Sequence, residues 1–374
     1  MFHFNAIWVV FLLASVIQLM YWGIGFMRLR RYLSRKKINR ENETKRSLSV
    51  VICARNEAEN ISNNLPAILN QDYPEFEVLV VNDGSTDETA VVLHKLQQEY
   101  AHLSVLHIGD KPADSIGKKY ALERGIHAAA SPWLVLTDAD CQPISDQWLK
   151  AMDAGMAEGK LVGLGYGPYA RRKGLLNKLI RFETVYTAIQ YFSFALWGKP
   201  YMGVGRNLMY HKALFTESNG FSNHAHLASG DDDLFINTIA TGANTATIID
   251  VSAFVISTPE LTFRKYVRQK SRHFTTSKHY RFSHAAMLFL LSLSHFLFYG
   301  GFFTLLVFDF RFTTFLFLIA VTRFIFLHLV YEVILHEFKE KDLHVWIPLL
   351  DFFYLLFILL LAPTLLLTNM RKWK

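Results

Sequence analysis

Apolar and polar positions divide the chain into three stretches with different periods. Residues 1–27 hold no Lys, Arg, Asp or Glu, and Phe4 to Met27 would make about 36 Å of helix at ~1.5 Å per residue, enough to cross a bilayer. Three further apolar stretches close the chain, Ala285 to Phe308, Phe312 to Leu335 and Val345 to Thr368, separated by polar breaks at Asp309/Arg311 and at His336 to His344. Between these ends, from Ser47 to about Ser257, short apolar runs alternate with helical patterns at the loop lengths of βα units. That alternation predicts an α/β domain with a mostly parallel, Rossmann-like sheet covered by helices. Strands are predicted over Leu48–Ala54, Phe76–Val81, Ser104–Ile108 and Trp133–Thr137, and helices over Ala58–Gln71, Thr86–Tyr100, Lys118–Ala129 and Ser145–Glu158. The organisation expected is a transmembrane anchor (1–27), a basic juxtamembrane linker (28–46), the α/β domain (47–257), an interfacial helix (258–284) and a membrane bundle of about three spans (285–374).

Composition and charge sharpen this division. With 51% hydrophobic and 19% charged residues in 374, neither a disordered chain nor an ordinary soluble domain fits. Nine Lys/Arg against two Glu between Arg28 and Arg46 equal the whole net charge of +7. Directly behind an apolar span, such a run reads as a topology signal and an anionic-lipid contact rather than a nucleic-acid site. It places the α/β domain on the cytoplasmic side of the cell membrane, with the N-terminus outside. A signal peptide would carry its positive charges ahead of a shorter apolar core and a small-residue cleavage site behind it, so an uncleaved anchor is expected. Charge also creates a conflict, because three spans after a cytoplasmic domain would leave Arg371 to Lys374 outside, against the positive-inside tendency. A re-entrant or interfacial segment would remove it. Arg323, Glu332 and Asp351 fall inside apolar stretches and need protein or water to face; Arg323 with Asp351 is the pairing expected. Cys53 and Cys141 are too few for a disulfide framework and are expected as buried thiols in a reducing compartment.

In an open α/β sheet, ligands bind beyond the carboxyl ends of the strands. The first strand runs into Arg55-Asn56-Glu57, the second into Asn82-Asp83-Gly84-Ser85-Thr86-Asp87, and the last into Thr137-Asp138-Ala139-Asp140. Each alone is a good turn or helix cap; three at one edge make a candidate site. Carboxylates at i and i+2 on a bend can hold one hard divalent cation carrying phosphates, which points to Mg²⁺ or Mn²⁺ with a diphosphate. No Gly-x-Gly-x-x-Gly follows the first strand and no Walker sequence is present, which disfavours dinucleotide oxidoreductases and P-loop enzymes. A second cluster, Gly230-Asp231-Asp232-Asp233-Leu234, opens a helix. It is either a solvated cap favoured by the helix dipole or a crowded set of acids, one of them raised to serve as a general base. Gln269-Lys-Ser-Arg272-His273 lies in the basic, aromatic stretch Phe263–Lys278, which taken alone suits an amphipathic interfacial helix. Leu175 to Trp197 is helical and aromatic, and fits either the membrane surface or the core. Spacings of six and five residues among His273, His279 and His284 match no usual zinc pattern.

Together these motifs resemble the family 2 glycosyltransferases, in the membrane-embedded branch of cellulose, chitin, hyaluronan and poly-N-acetylglucosamine synthases. The resemblance covers about Ser47 to Tyr280. Its parts stand in the family's order: Val-Val-Ile-Cys-Ala-Arg-Asn-Glu, Asn-Asp-Gly-Ser-Thr-Asp, Gly-Lys-Lys with a following Ala-Leu, Asp-Ala-Asp, Gly-Asp-Asp-Asp-Leu and Gln-x-x-Arg. The resemblance implies a GT-A fold that transfers a sugar from a nucleotide-diphosphate sugar, most often a UDP-sugar, with inversion. Asp83 would hold the nucleoside with Ala54, Arg55 and Glu57; Asp138 would contact nucleotide and metal, and Asp140 the metal. Lys118 and Arg272 would balance the diphosphate. For the base, aligning on Asp-Leu selects Asp231, whereas reading Asp231 in place of the family's glutamate selects Asp232. Asp232 is preferred because it keeps an acidic neighbour on each side. Gly203, Gly205, Arg206, Gln269 and His273 would line the acceptor side. His273 departs from the tryptophan of the polymerising members and offers less area for stacking on a sugar, which puts processivity in doubt. The function implied is transfer to a lipid-linked or polysaccharide acceptor at the cytoplasmic membrane face, in cell-envelope synthesis, with membrane lipids and a synthase or export partner as further expectations. The alternative is a catalytically silent membrane scaffold that recruits a synthase. A transporter with a soluble regulatory domain would rest on Arg323, Glu332 and Asp351 alone.

Overall fold

A computed structural model describes residues 2–35, 46–109, 111–112, 115, 117–309 and 312–363. The basic run from Lys36 to Lys45, Arg311, the end of the last apolar stretch at Thr368 and the tail Arg371 to Lys374 lie outside them. The domain is built on a seven-stranded sheet. Strands β1 (Leu48–Ala54), β2 (Phe76–Asp83), β3 (Leu103–Ile108) and β4 (Trp133–Asp138) are the four predicted from periodicity. Five shorter strands follow: β5 (Cys141–Pro143), β6 (Val162–Leu164), β7 (Leu208–His211), β8 (Thr245–Thr247) and β9 (Val255–Ser257). The order is β3-β2-β1-β4-β7-β6-β8, with β5 and β9 forming a separate two-stranded ladder. Strands β3, β2, β1 and β4 are parallel, whereas β7 runs antiparallel to both β4 and β6.

Register explains why the polar loops meet. Ala54 pairs with Asn82 and Cys53 with Asp138, so β1, β2 and β4 end level and release their loops at one edge. Both faces of the sheet are covered. Val50, Ile52, Val78, Val80 and Val135 point toward helices Ala58–Leu69, Thr89–Glu99 and Trp148–Ala154. Val51, Cys53, Val81, Leu134 and Leu136 point the other way, toward helices Lys119–Ala128 and Leu175–Leu196. A Cβ at Gly125 would lie 2.8 Å from Val81 and 2.9 Å from Val51, so glycine lets the first of these helices close on the sheet. Helix Trp148–Ala154 is shorter than predicted, because the chain enters it through a 145–147 turn in which Gln147 N donates to Ser145 Oγ.

This second core is continuous with the membrane helices. Helix Leu175–Leu196 is buried along most of its length, which settles its place in the core rather than on the membrane surface. Phe182 stacks on Tyr331, and Tyr186 on Trp22, at 5.6 and 6.1 Å between centroids. Among the described residues, four helices are long and apolar enough to cross a membrane: Ala6–Arg35, Phe282–Phe308, Thr313–Glu337 and Lys341–Leu361, the last beginning as a 3₁₀ turn. The chain is thus an integral membrane protein carrying an α/β domain outside the bilayer. The first helix runs past Met27 to Arg35 through a π-helical turn at Tyr21–Phe26, so the start of the basic linker is helical. A Cβ at Gly25 would sit 2.5 Å from Trp197, and the absence of a side chain lets that indole pack across the turn. Within the bundle, Arg323 pairs with Asp351 at 2.9 Å, as expected, and Asp351 also accepts from Tyr299 at 2.7 Å. Gln18 links the first helix to this pair through Arg323 Nε at 3.2 Å and to Ser294 at 2.8 Å. Glu332 is exposed and takes no part in the network.

Candidate active site

Two of the three strand-end loops are knitted together before any ligand is considered. Asn56 adopts a φ of +55°, and its Oδ1 accepts from Thr86 N at 2.8 Å, while its own N donates to Ser85 Oγ at 3.0 Å. Glu57 N donates to Thr89 Oγ1 at 2.9 Å. Asn-Asp-Gly-Ser-Thr-Asp is therefore both a turn and a brace for Ala54 to Glu57, with Arg55 left exposed. Asp83 is buried at the end of β2, where one carboxylate oxygen takes Lys111 Nζ and the other has no partner. Lys111 carries no motif and was not legible in the sequence.

Asp138 and Asp140 present oxygens, and Cys141 its sulfur, all within 4.8 Å of one another. Two hard oxygen donors on a bend fit a divalent cation. Burial, followed by the charges of Asp140 and Asp138, holds the Cys141 thiol well above its usual range, so it stays protonated. Its Sγ donates to Asp140 Oδ1 at 3.4 Å, and Ser257 Oγ donates to Oδ2 at 3.3 Å. These residues face each other across the β5–β9 ladder. The short ladder thereby aims the carboxylate of Asp140. Burial, then the neighbouring Asp138 charge, raises Asp140.

Lys118 joins the two acidic clusters. Its ammonium lies 2.9 Å from Asp138 and 2.8 Å from Asp231. Dehydration acts against the charged form, but the Asp138 and Asp231 carboxylates more than offset it and hold Lys118 well above the usual lysine range. The three aspartates then diverge in character. Burial pushes Asp231 upward, but the Lys118 charge and hydrogen bond win and keep it low. Asp232 has no such partner; burial first, then the flanking Asp231 and Asp233 charges, push it up to about 7. Asp233 is raised by burial although Thr276 Oγ1 and Tyr280 OH, the latter at 2.8 Å, both donate to it. It serves as an anchor for the segment after the Gln-x-x-Arg helix.

On the acceptor side of the sequence reading, Gly205 N donates to Asp232 Oδ2 at 2.8 Å, and a Cβ on Gly205 would lie 3.2 Å from that oxygen. A Cβ on Gly203 would meet Leu208 at 2.9 Å. Arg206 lies over the Tyr169 ring at 4.3 Å, with Nη1 buried and unpartnered. Asn207, at the end of the Tyr201–Asn207 acceptor segment, holds this turn: Nδ2 donates to Tyr166 O at 2.9 Å and Ala253 O at 2.6 Å, and Oδ1 accepts from Trp148 at 3.1 Å. Gln269, Arg272 and His273 ride on helix Phe263–Phe274, capped by Thr262. Arg272 Nη2 and His273 Nε2 are 3.4 Å apart, and Gln269 Oε1 is buried without a partner. The His273 side chain is exposed. Loss of hydration to the protein around it, then the Arg272, Lys270 and Arg206 cations, hold it well below the usual histidine range, neutral at physiological pH.

Residues 49–217 match Glycosyl transferase family 2. The globular domain is thus similar to the family 2 glycosyltransferases over most of its length. Its sequence is 25% identical over 169 residues to a poly-beta-1,6-N-acetyl-D-glucosamine synthase of Staphylococcus epidermidis, covering 44% of this chain and 40% of that protein. It is also 38% identical over 105 residues to the glycosyltransferase AglE of Haloferax volcanii, covering 28% of this chain and 33% of that one. The chain thus spans well under half the length of these curated relatives. Among solved structures, the mannosyltransferase PcManGT from Pyrobaculum calidifontis, in complex with GDP-Man and Mn²⁺, superimposes with a TM-score of 0.60 at 15% identity, covering 92% of this chain and 99% of that one. At that identity the likeness is one of fold, and it extends through the membrane helices as well as the α/β domain.

Proposed function

We propose that this protein is an inverting, metal-dependent glycosyltransferase that moves a sugar from a nucleotide-diphosphate sugar, a UDP-sugar in the first instance, to a lipid-linked or polysaccharide acceptor at the cytoplasmic membrane face. The observation that carries the reading is the Lys118 bridge, which brings the Asp138/Asp140 pair and the Asp231–Asp233 cluster to one place at the end of the parallel strands. The relatives and the solved mannosyltransferase support it by their names.

In this reading Asp83 and the Ala54–Glu57 loop hold the nucleoside, and Asp138 and Asp140 hold Mg²⁺ or Mn²⁺. The cation, when bound, offsets negative charge gathering on the departing diphosphate. Lys118 exchanges one of its carboxylate partners for phosphate oxygens, and Arg272 closes on them from the interfacial helix. Asp232 takes the proton from the acceptor hydroxyl as that oxygen bonds to the anomeric carbon. The bond from that carbon to the diphosphate oxygen breaks on the opposite face, its electron pair leaving with the nucleoside diphosphate. Gly203 and Gly205 let the acceptor-side turn pack closely on Leu208 and on Asp232, with Arg206, Gln269 and neutral His273 as polar contacts for the acceptor. A histidine in place of an aromatic platform suits one or few additions per encounter.

The test is release of nucleoside diphosphate by the protein in native-like lipid, across UDP- and GDP-sugars with Mn²⁺ or Mg²⁺, beside Asp140→Ala. Metal-dependent release lost in the variant is expected. Silence across all donors, with no binding of UDP or GDP, would overturn the assignment in favour of a scaffold.

A further inference from the structure

Gly117-Lys118-Lys119 contains two lysines in unlike surroundings. Lys118 has carboxylates for partners, whereas Lys119 is 4% exposed and meets backbone carbonyls. Its Nζ donates to His224 O at 2.5 Å and to Leu227 O at 3.1 Å. Both carbonyls belong to the 224–230 loop, which ends on Gly230, the residue before Asp231. The loop closes on itself, with Leu227 N donating to His224 O at 3.1 Å and the His224 ring hydrogen-bonding the Gly230 backbone. Gly117 presses on it from outside: its φ is +72°, and a Cβ there would stand 2.5 Å from Ala228 O. At its far end Gly230 takes a φ of +103° to turn the chain into the aspartates. Burial lowers Lys119 to about 8, as expected of an ammonium held mainly by carbonyl dipoles.

We infer that Lys119 is a positioning residue, a latch that fastens the 224–230 loop to the start of helix Lys119–Ala128 and so sets Asp231 and Asp232 against Lys118 and Gly205. The assignment rests on the proposed role of those aspartates, but the latch is a property of the loop and can be read without turnover. Removing the ammonium breaks the tie to both carbonyls and leaves Leu227 O without its donor, while His224 O keeps only the Leu227 amide, so the loop opens to water. A role confined to filling space would leave the loop closed.

The experiment compares Lys119→Met with Lys118→Met in the full chain in lipid nanodiscs, following amide exchange over residues 224–233, binding of UDP and GDP with Mn²⁺, and turnover. In Lys119→Met, exchange should quicken at least about tenfold and turnover fall by about the same factor, with nucleotide affinity within about twofold. Lys118→Met should instead weaken nucleotide binding by about tenfold or more. Lys119→Arg should restore part of the protection. Lys119→Met that loses nucleotide affinity as Lys118→Met does would make Lys119 a ligand residue, and unchanged loop protection would make it a filler; either overturns the latch. If Lys119→Met does not fold, Gly117→Ala pushes on Ala228 of the same loop with every charge kept and should give the same loop opening. In a parent protein silent with every donor, the exchange result still decides the latch, while the functional reading falls separately.

Discussion

At the scale of single residues, the three adjacent aspartates show how position overrides identity. Asp231 is ion-paired with Lys118 and held low, which makes it a poor proton acceptor at neutral pH, while Asp232 sits near 7 without a cation in contact. A base works in its charged form, so a raised value moves the loss of activity up into the neutral range. The kcat/KM of the protein should fall about tenfold per pH unit below about 7. Asp232→Asn should cost about 10²–10⁴ in kcat and flatten that limb, with UDP and GDP binding retained. A flat limb in Asp231→Asn, with Asp232→Asn still active, would reverse the assignment. Asn207 is the structural counterpart. Asn207→Ala leaves Ala253 O and the Trp148 indole unpaired and Tyr166 O with only the long Val255 amide bond, and should cost on the order of 3 kcal/mol, measured by thermal unfolding in detergent. The aspartates were legible because carboxylates at a strand end or helix start are a local pattern. The roles of Lys111, Lys119 and Asn207 were not, because their partners lie 28, 105 and up to 59 residues away and only the fold supplies them.

At the scale of elements, the long strands of the parallel half were legible from the sequence, since apolar-rich segments of five to seven residues between turn signals admit few other readings. Strands β5 to β9 were not, because three or four residues cannot display a period of two. Yet β5 and β9 aim Asp140, and β7 follows the Gly203–Asn207 turn, so the hidden strands frame much of the candidate site. Helix Phe263–Phe274 shows a similar split. Its amphipathic pattern was visible, but its register is set from outside, by Glu183 of the buried helix Leu175–Leu196. Glu183 accepts from Tyr266 at 3.3 Å and pairs with Lys270 at 2.5 Å, and Lys270 directly follows Gln269 and stands two residues before Arg272. Glu183→Ala should therefore loosen the helix that carries Arg272. Donor KM is expected to rise about five- to tenfold, a loss of roughly 1 kcal/mol in keeping with one lost charged contact, while the pH limb of Asp232 stays in place. A fall in kcat at constant KM would show that the helix does not bear on the donor.

At the scale of the whole molecule, the charge conflict in the sequence turns on how helix Ile347–Leu361 meets the bilayer. Length and composition allow a span, but its contacts run in two directions. Ile347, Leu350, Tyr354, Phe357 and Leu361 join the core shared with the α/β domain, at the spacing of one helix face. Phe352 and Leu355 turn instead to the bundle, with Asp351 beside them on Arg323 and Tyr299. Both ends of the segment touch the domain: Lys178 lies over Trp346 at 4.9 Å, and Phe357 stacks on Tyr266 at 5.1 Å. A helix crossing the membrane would leave the domain within a turn or two, whereas this one keeps contact over about 17 Å of its axis. It lies as a wedge between domain and bundle, and Leu361 should emerge on the side it started from. Single cysteines test this by relative sidedness: Ala362→Cys should react with an impermeant maleimide from the same face of sealed vesicles as Lys95→Cys on an exposed helix of the domain. Native Cys53 and Cys141 are buried and give a low background. Labelling of Ala362→Cys only from the opposite face would make the segment a true span, and the contacts of Phe357 with Tyr266 would then have to form through a tilted crossing.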